Sequence, residues 1–127
     1  MPTKRNVVAI IDDNLDVLGA LGRLLSTLGY DTELYASKKE FLDAAMTSEA
    51  ICLIVDVHLG TASGIDLARE LVNAGYTFPT IFMSGDKSES IKMRAMEVGA
   101  VAFLSKPFCA DVLINALARV PARRVIL

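Results

Sequence analysis

The sequence predicts an α/β domain in three layers, an open parallel sheet covered by helices on both faces. Three observations carry this. Five short apolar runs, residues 6–11, 31–36, 51–56, 79–83 and 101–104, are rich in Val, Ile, Leu and Phe. Several lack polar alternation, the look of strands buried on both faces. Stretches with helical spacing separate them, and Gly, Ser and Asn punctuate the boundaries.

The elements follow in order. After the first run, Leu15, Leu18, Leu21, Leu25 and Leu28 mark a helix that Asn14 opens and Gly29 closes. After the second, Phe41, Leu42 and Ala45 mark a weaker helix, and Ser37 to Glu40 has capping-box spacing. Ser63 precedes a third helix marked by Ile65, Leu67, Ala68, Leu71 and Val72, closed by Gly75. Ser88 precedes a fourth, with Ile91, Ala95, Met96 and Val98, closed by Gly99. Val112, Leu113, Ala116 and Leu117 mark the fifth. Strand and helix alternate throughout, which calls for right-handed βαβ units.

Length and composition bound the function. The chain has 127 residues, the size of one domain. It is 53% hydrophobic, which excludes an intrinsically disordered chain. Cys52 and Cys109 are too few for a disulfide scaffold; Cys52 lies in an apolar run, and both thiols are expected to stay reduced in a cytosol. Thirteen basic against fifteen acidic residues argue against direct nucleic-acid binding. The longest purely apolar stretches, 7–11 and 51–55, are far short of the roughly twenty residues of a membrane span. The N-terminus lacks the apolar region of a signal peptide. A cytoplasmic protein without a membrane partner is expected.

In open sheets of this kind ligands bind beyond the carboxyl ends of the strands. The first strand ends in Asp12-Asp13, the third in Asp56, the fourth in Ser84-Gly85-Asp86 and the fifth in Ser105-Lys106-Pro107. Each has an ordinary reading on its own: a helix-cap pair, a turn, a loop, a solvated lysine. Together, at four strand ends, they form a complementary set. Three carboxylates with one ammonium keep excess negative charge, and Mg²⁺ (or Mn²⁺) suits such hard oxygen donors. A carboxylate beside a cation, a hydroxyl and a lysine is suited to phosphoryl transfer, the carboxylate attacking as in aspartyl-phosphate chemistry.

The sequence resembles a bacterial response-regulator receiver domain over about residues 6–120. The resemblance is carried by Ile11-Asp12-Asp13-Asn14, by Leu53-Ile54-Val55-Asp56 with Ser63-Gly64, by Ile81-Phe82-Met83-Ser84-Gly85, by Ala95-Met96-Glu97-Val98-Gly99-Ala100, and by Phe103-Leu104-Ser105-Lys106-Pro107-Phe108. It implies a doubly wound, flavodoxin-like five-stranded sheet of order 2-1-3-4-5, in a single receiver domain spanning 1–127. It further implies that Asp56 accepts a phosphoryl group from a histidine kinase or histidine phosphotransfer protein. Asp13 and Asp56 would ligate Mg²⁺ directly, Asp12 through water, and the His58 backbone carbonyl would complete the protein ligands. Ser84 and Lys106 would contact phosphoryl oxygens. Phe103 would change rotamer as Ser84 moves, coupling the site to the surface of the fourth helix, fifth strand and fifth helix. The Lys106–Pro107 bond is expected to be cis, as in relatives.

Two departures stand out. Relatives usually carry proline where this chain has Gly60, so the loop 59–62 is expected to be more flexible. His58 and Asp86, two residues beyond Asp56 and Ser84, flank the expected phosphoryl position and are candidates for tuning its hydrolysis.

Output is open. Beyond the fifth helix only residues 121–127 remain, too few for an effector domain, and Arg119, Arg123 and Arg124 form a small basic patch. A stand-alone receiver and a piece of a longer regulator both fit; the helical face after Phe103-Leu104 resembles receivers fused to helix-turn-helix domains. The expected partners are the phosphodonor, a downstream protein or a missing effector domain, and a second copy in a phosphorylation-dependent homodimer. Rival readings are a pseudo-receiver that only binds partners and an aspartate-nucleophile phosphohydrolase of the haloacid dehalogenase type. The second places its acceptor on the first strand, and His58 stands where its loop needs an acid.

Overall fold

The computed structural model describes residues 6–121. Five parallel strands form the sheet: β1 Val7–Ile11, β2 Asp31–Tyr35, β3 Ala50–Asp56, β4 Thr80–Ser84 and β5 Ala102–Ser105. Five helices alternate with them: α1 Leu15–Thr27, α2 Lys38–Ala44, α3 Gly64–Asn73, α4 Glu89–Glu97 and α5 Ala110–Ala118. The sheet order is β2-β1-β3-β4-β5, the doubly wound order expected.

Alternate residues of the central strands bury into opposite layers, as a pleated strand requires. Val8, Ile10, Cys52, Ile54, Ile81 and Met83 pack with Leu18, Leu21 and Leu25 of α1 and Leu113 and Leu117 of α5. Ala9, Ile11, Leu53, Val55 and Phe82 pack with Phe41, Ile65, Leu67, Leu71 and Ala95 from α2, α3 and α4. Both faces of β1, β3 and β4 are thus dry, which is why those runs lack polar alternation. The edge strand β2 keeps Asp31 and Leu34 exposed.

The caps sit where the punctuation placed them. Asn14 Oδ1 accepts from the Asp16 and Val17 amides at 2.9 and 3.2 Å. Ser37, Ser63 and Ser88 hydroxyls accept from the first-turn amides of α2, α3 and α4. Gly29, Gly75 and Gly99 take positive φ just past three helix ends. In α2 the reciprocal half of the capping box is displaced by one residue: Glu40 Oε1 accepts from the Ala36 amide at 3.3 Å, not from Ser37. β4 starts at Thr80 rather than residue 79 because Pro79 has no N–H to give the ladder. β5 starts at Ala102, one residue later than expected.

The loop after β3, whose path the sequence left open, has a regular course. It is a closed antiparallel hairpin in which His58–Leu59 pairs with Ala62–Ser63. Gly60 has φ 64° and Thr61 is not left-handed, the combination of a type II′ turn. The glycine supplies the positive-φ corner of this loop. The Lys106–Pro107 bond is cis, as expected. Arg119 is the C-cap of α5; Arg123 and Arg124 lie outside the described residues. Among the described residues no helix is long and apolar enough to cross a membrane.

Candidate functional site at the carboxyl ends of the strands

Parallel registry brings the strand ends together. Ile11 pairs with Val55, Asp56 with Met83, and Ser84 with Ser105. Asp12 and Asp13 therefore leave β1 beside the end of β3, and Lys106 leaves β5 beside Ser84, whose carbonyl accepts the Lys106 amide at 2.8 Å.

The side chains converge as the sequence predicted. Asp12, Asp13 and Asp56 each offer a carboxylate oxygen within 4.8 Å of the other two. Asp12 is fully buried, Asp56 is 7% exposed and Asp13 faces solvent. Lys106 Nζ donates to Asp56 Oδ2 at 2.7 Å and to Asp12 Oδ2 at 3.0 Å. The remaining Asp12 oxygen accepts from the Asn14 amide at 2.9 Å, and Asp56 Oδ1 from the His58 amide at 3.0 Å. The direct Asp12–Lys106 contact is something sequence reasoning missed; nothing local in the chain pairs residues so far apart.

Burial pushes the Asp12 carboxyl above its ordinary range, and the Asp56 charge adds to this, against the Asn14 amide and Lys106. Burial also works against the Lys106 ammonium, but its hydrogen bonds and charge interactions with Asp56 and Asp12 prevail, and its pKa is raised. Lys106 is therefore a firm cation that answers only part of the negative charge around it. Clustered hard oxygens with residual negative charge, one of them solvent-facing, fit a divalent cation of the Mg²⁺ type.

Ser84 is fully buried and its Oγ accepts from the Asp86 amide at 2.9 Å. His58 and Asp86 are both exposed. The Asp86 carboxyl is lowered chiefly by the Ser88 amide and hydroxyl, with the His58 charge assisting. Phe103 is half-buried, sits opposite Phe82 in the sheet and packs on the α2–α3–α4 side of the core.

Gly64 is a functional neighbour whose role sequence reasoning did not assign. A Cβ there would collide with the Asp56 carbonyl oxygen and come 2.7 Å from Val55 Cγ1. The available signal was a glycine directly after the capping Ser63, at a helix position that offers no other reason for one.

The family model for the response regulator receiver domain matches residues 8–118. The chain belongs to this family. The receiver is 36% identical over 117 residues to the response regulator protein TodT of Pseudomonas putida, covering 92% of this chain and 52% of TodT. It is 32% identical over 106 residues to the transcriptional regulatory protein FixJ of Bradyrhizobium diazoefficiens, covering 84% and 52%. The receiver thus spans about half the length of the curated relatives it matches. Its backbone superposes on the structure of FixJ-N with TM-score 0.88 at 30% identity, covering 98% of this chain and all of that one. A response regulator from Burkholderia pseudomallei, crystallised with a phosphorylated aspartic acid, a calcium ion and citrate, gives TM-score 0.81 at 29% identity, covering 88% and 66%. Receivers are the signalling modules of two-component response regulators, and this family, not the haloacid dehalogenase type, is the one matched.

Proposed function

We propose that this receiver, a single domain over residues 1–127, takes a phosphoryl group onto Asp56 from a histidine kinase or histidine phosphotransfer protein in a cytoplasmic two-component relay. One observation carries the reading: the Asp56 carboxylate is held between the Lys106 ammonium and the His58 amide inside a cluster of three acids. A carboxylate oxygen attacks phosphorus, the P–N bond to the donor imidazole breaks, and the nitrogen keeps the electron pair. The product is an acyl phosphate on Asp56.

Asp12, Asp13, Asp56 and the His58 backbone carbonyl would hold Mg²⁺ (or Mn²⁺), which supplies positive charge to the transferred oxygens. Asp12, fully buried and bonded to the Asn14 amide and Lys106, would meet the cation through water. Lys106 contacts one phosphoryl oxygen and Ser84 another. Ser84 would do so with its hydroxyl proton, which accepting from the Asp86 amide leaves free, and as Ser84 moves toward the phosphate Phe103, on the next strand, would change rotamer. That motion would alter the α4–β5–α5 surface for a downstream partner, an effector domain or a second copy. Phosphorylation shifts this equilibrium only as far as it favours one arrangement over the other.

The test is incubation with Mg²⁺ and acetyl phosphate followed by intact mass. Wild type gains one phosphoryl group and Asp56→Asn none. Gain by neither protein leaves a pseudo-receiver or a receiver that accepts only from its cognate protein donor; gain by both moves the acceptor elsewhere. Once loaded, His58→Ala and Asp86→Ala each change the half-life of the acyl phosphate by a few fold, read as the return of the unmodified mass. Decay at the wild-type rate in both variants removes the tuning role.

A further inference from the structure

We propose that Gly60 is a positioning residue for phosphoryl uptake, closing the hairpin that seats the His58 amide on the acceptor carboxylate. This rests on the assignment of Asp56 as acceptor.

The hairpin is only two residues deep on each side, so its geometry depends on its turn. His58 faces Ser63 and Leu59 faces Ala62, which leaves Gly60 and Thr61 to reverse the chain. At φ 64° Gly60 supplies the positive-φ first corner of a II′ turn, which matches the twist of the flanking strands. Both ends of the hairpin are anchored. Its far end runs into α3, where the Gly64 amide donates to Val57 O at 2.7 Å and Ser63 caps the helix. Its near end leaves Asp56 through Val57, and there the His58 amide donates to Asp56 Oδ1. Leu59 is buried in the core, so the arm cannot swing without exposing it. With Lys106 on Oδ2 and the His58 amide on Oδ1, the Asp56 carboxylate is fixed at both oxygens. The turn also lies against the acid cluster: a Cβ on Gly60 would stand 3.8 Å from Asp13 Oδ2. That is ordinary contact, so space does not demand glycine here; the backbone conformation does.

A residue that tolerates positive φ should therefore keep the device, and a β-branched one should break it. The experiment compares wild type, Gly60→Asn and Gly60→Val with Mg²⁺ and acetyl phosphate, well below each protein's melting temperature. Two quantities are read: the initial rate of phosphoryl gain, and hydrogen exchange at the His58 amide without phosphodonor. Gly60→Val slows uptake by on the order of ten- to a hundredfold, as misplacement of a reacting group does. It also speeds His58 amide exchange by about tenfold or more, while Gly60→Asn stays near wild type in both. Uptake by Gly60→Val at the wild-type rate overturns the proposal, as does unchanged exchange at His58. Equal slowing by Asn and Val also overturns it, since bulk beside Asp13 and not the turn would then govern. If wild type takes up nothing, that result bears on the acceptor and its donor rather than on the turn, and unchanged amide exchange at His58 in Gly60→Val still overturns the proposal.

Discussion

Gly64→Ala destabilises the domain by about 3 kcal/mol or more, at the upper end of what overpacking costs. For a chain of this size that is a fall in melting temperature of about 10 °C. The cause is space, not backbone strain, since Gly64 does not take positive φ. The added methyl would overlap the Asp56 carbonyl oxygen, with Val55 Cγ1 at 2.7 Å and the Asp56 carbonyl carbon at 3.0 Å. Neither obstacle can yield cheaply. Asp56 is locked in the ladder with Met83, and Val55 is fully buried in the core. The helix must yield instead. If α3 moves off the sheet it carries Ser63 and the hairpin with it, so uptake on Asp56 falls along with stability. Gly85→Ala is the matching control: it is exposed, and a Cβ there meets nothing within 4 Å. Its melting temperature stays within about 2 °C of wild type. A Gly64→Ala protein melting as wild type does would mean that α3 and the acceptor strand are not packed as described.

Lys106→Met strikes the chemistry without touching the acceptor. The substitution keeps most of the side-chain volume and deletes the ammonium that touches both Asp12 and Asp56. Phosphoryl uptake falls on the order of a hundredfold or more, the scale of losing one donor to developing negative charge. Stability falls too, by about 1–3 kcal/mol at neutral pH, because a buried carboxylate loses a partner. The sign of the pH dependence follows from the directions of shift. Lys106 is raised above its ordinary 10.5, so its contribution in wild type is complete below that value and lost as pH rises beyond it. Asp12 is raised above its ordinary 3.8, so its charged form disfavours the fold, and stability drops as pH climbs from 3.8 through the raised value. Without Lys106 that drop is deeper. The gap between variant and wild type, measured by denaturation across pH, therefore narrows in acid and is full at neutrality. A gap that widens in acid would contradict the pairing. Mg²⁺, held by the cluster as proposed, would recover part of the lost stability, since the unfolded chain does not assemble that cluster.

Much of this fold was legible because its signals are local and agree. The uninterrupted apolar runs of β1, β3 and β4 mark strands buried on both sides, and they are. Asn14, Ser37, Ser63 and Ser88 mark helix starts through chemistry that acts over two or three residues. The convergence of Asp12, Asp13, Asp56 and Lys106 followed from a general property of parallel sheets, whose carboxyl ends share one edge. Strand order did not follow from pattern; it came with the resemblance. What stayed hidden is set by three-dimensional neighbours. Gly60 read as slack, since sequence shows a glycine's freedom and not the corner a particular turn requires. Gly64 stood out only as a glycine directly after the capping Ser63, which does not reveal the backbone lying against it. The Asp12–Lys106 contact joins the residues after β1 and β5 across the ends of β3 and β4, and no periodicity reports such a contact.

The central claim is that Asp56, among three clustered acids, is the one that carries the phosphoryl group. The most direct test loads the protein with acetyl phosphate and Mg²⁺, reduces the acyl phosphate with borohydride, and locates the product by peptide mass. Borohydride turns an aspartyl phosphate into homoserine. Homoserine at position 56 alone is the expected result. Homoserine at position 12 or 13, or a phosphoryl group recovered on His58, would contradict the account.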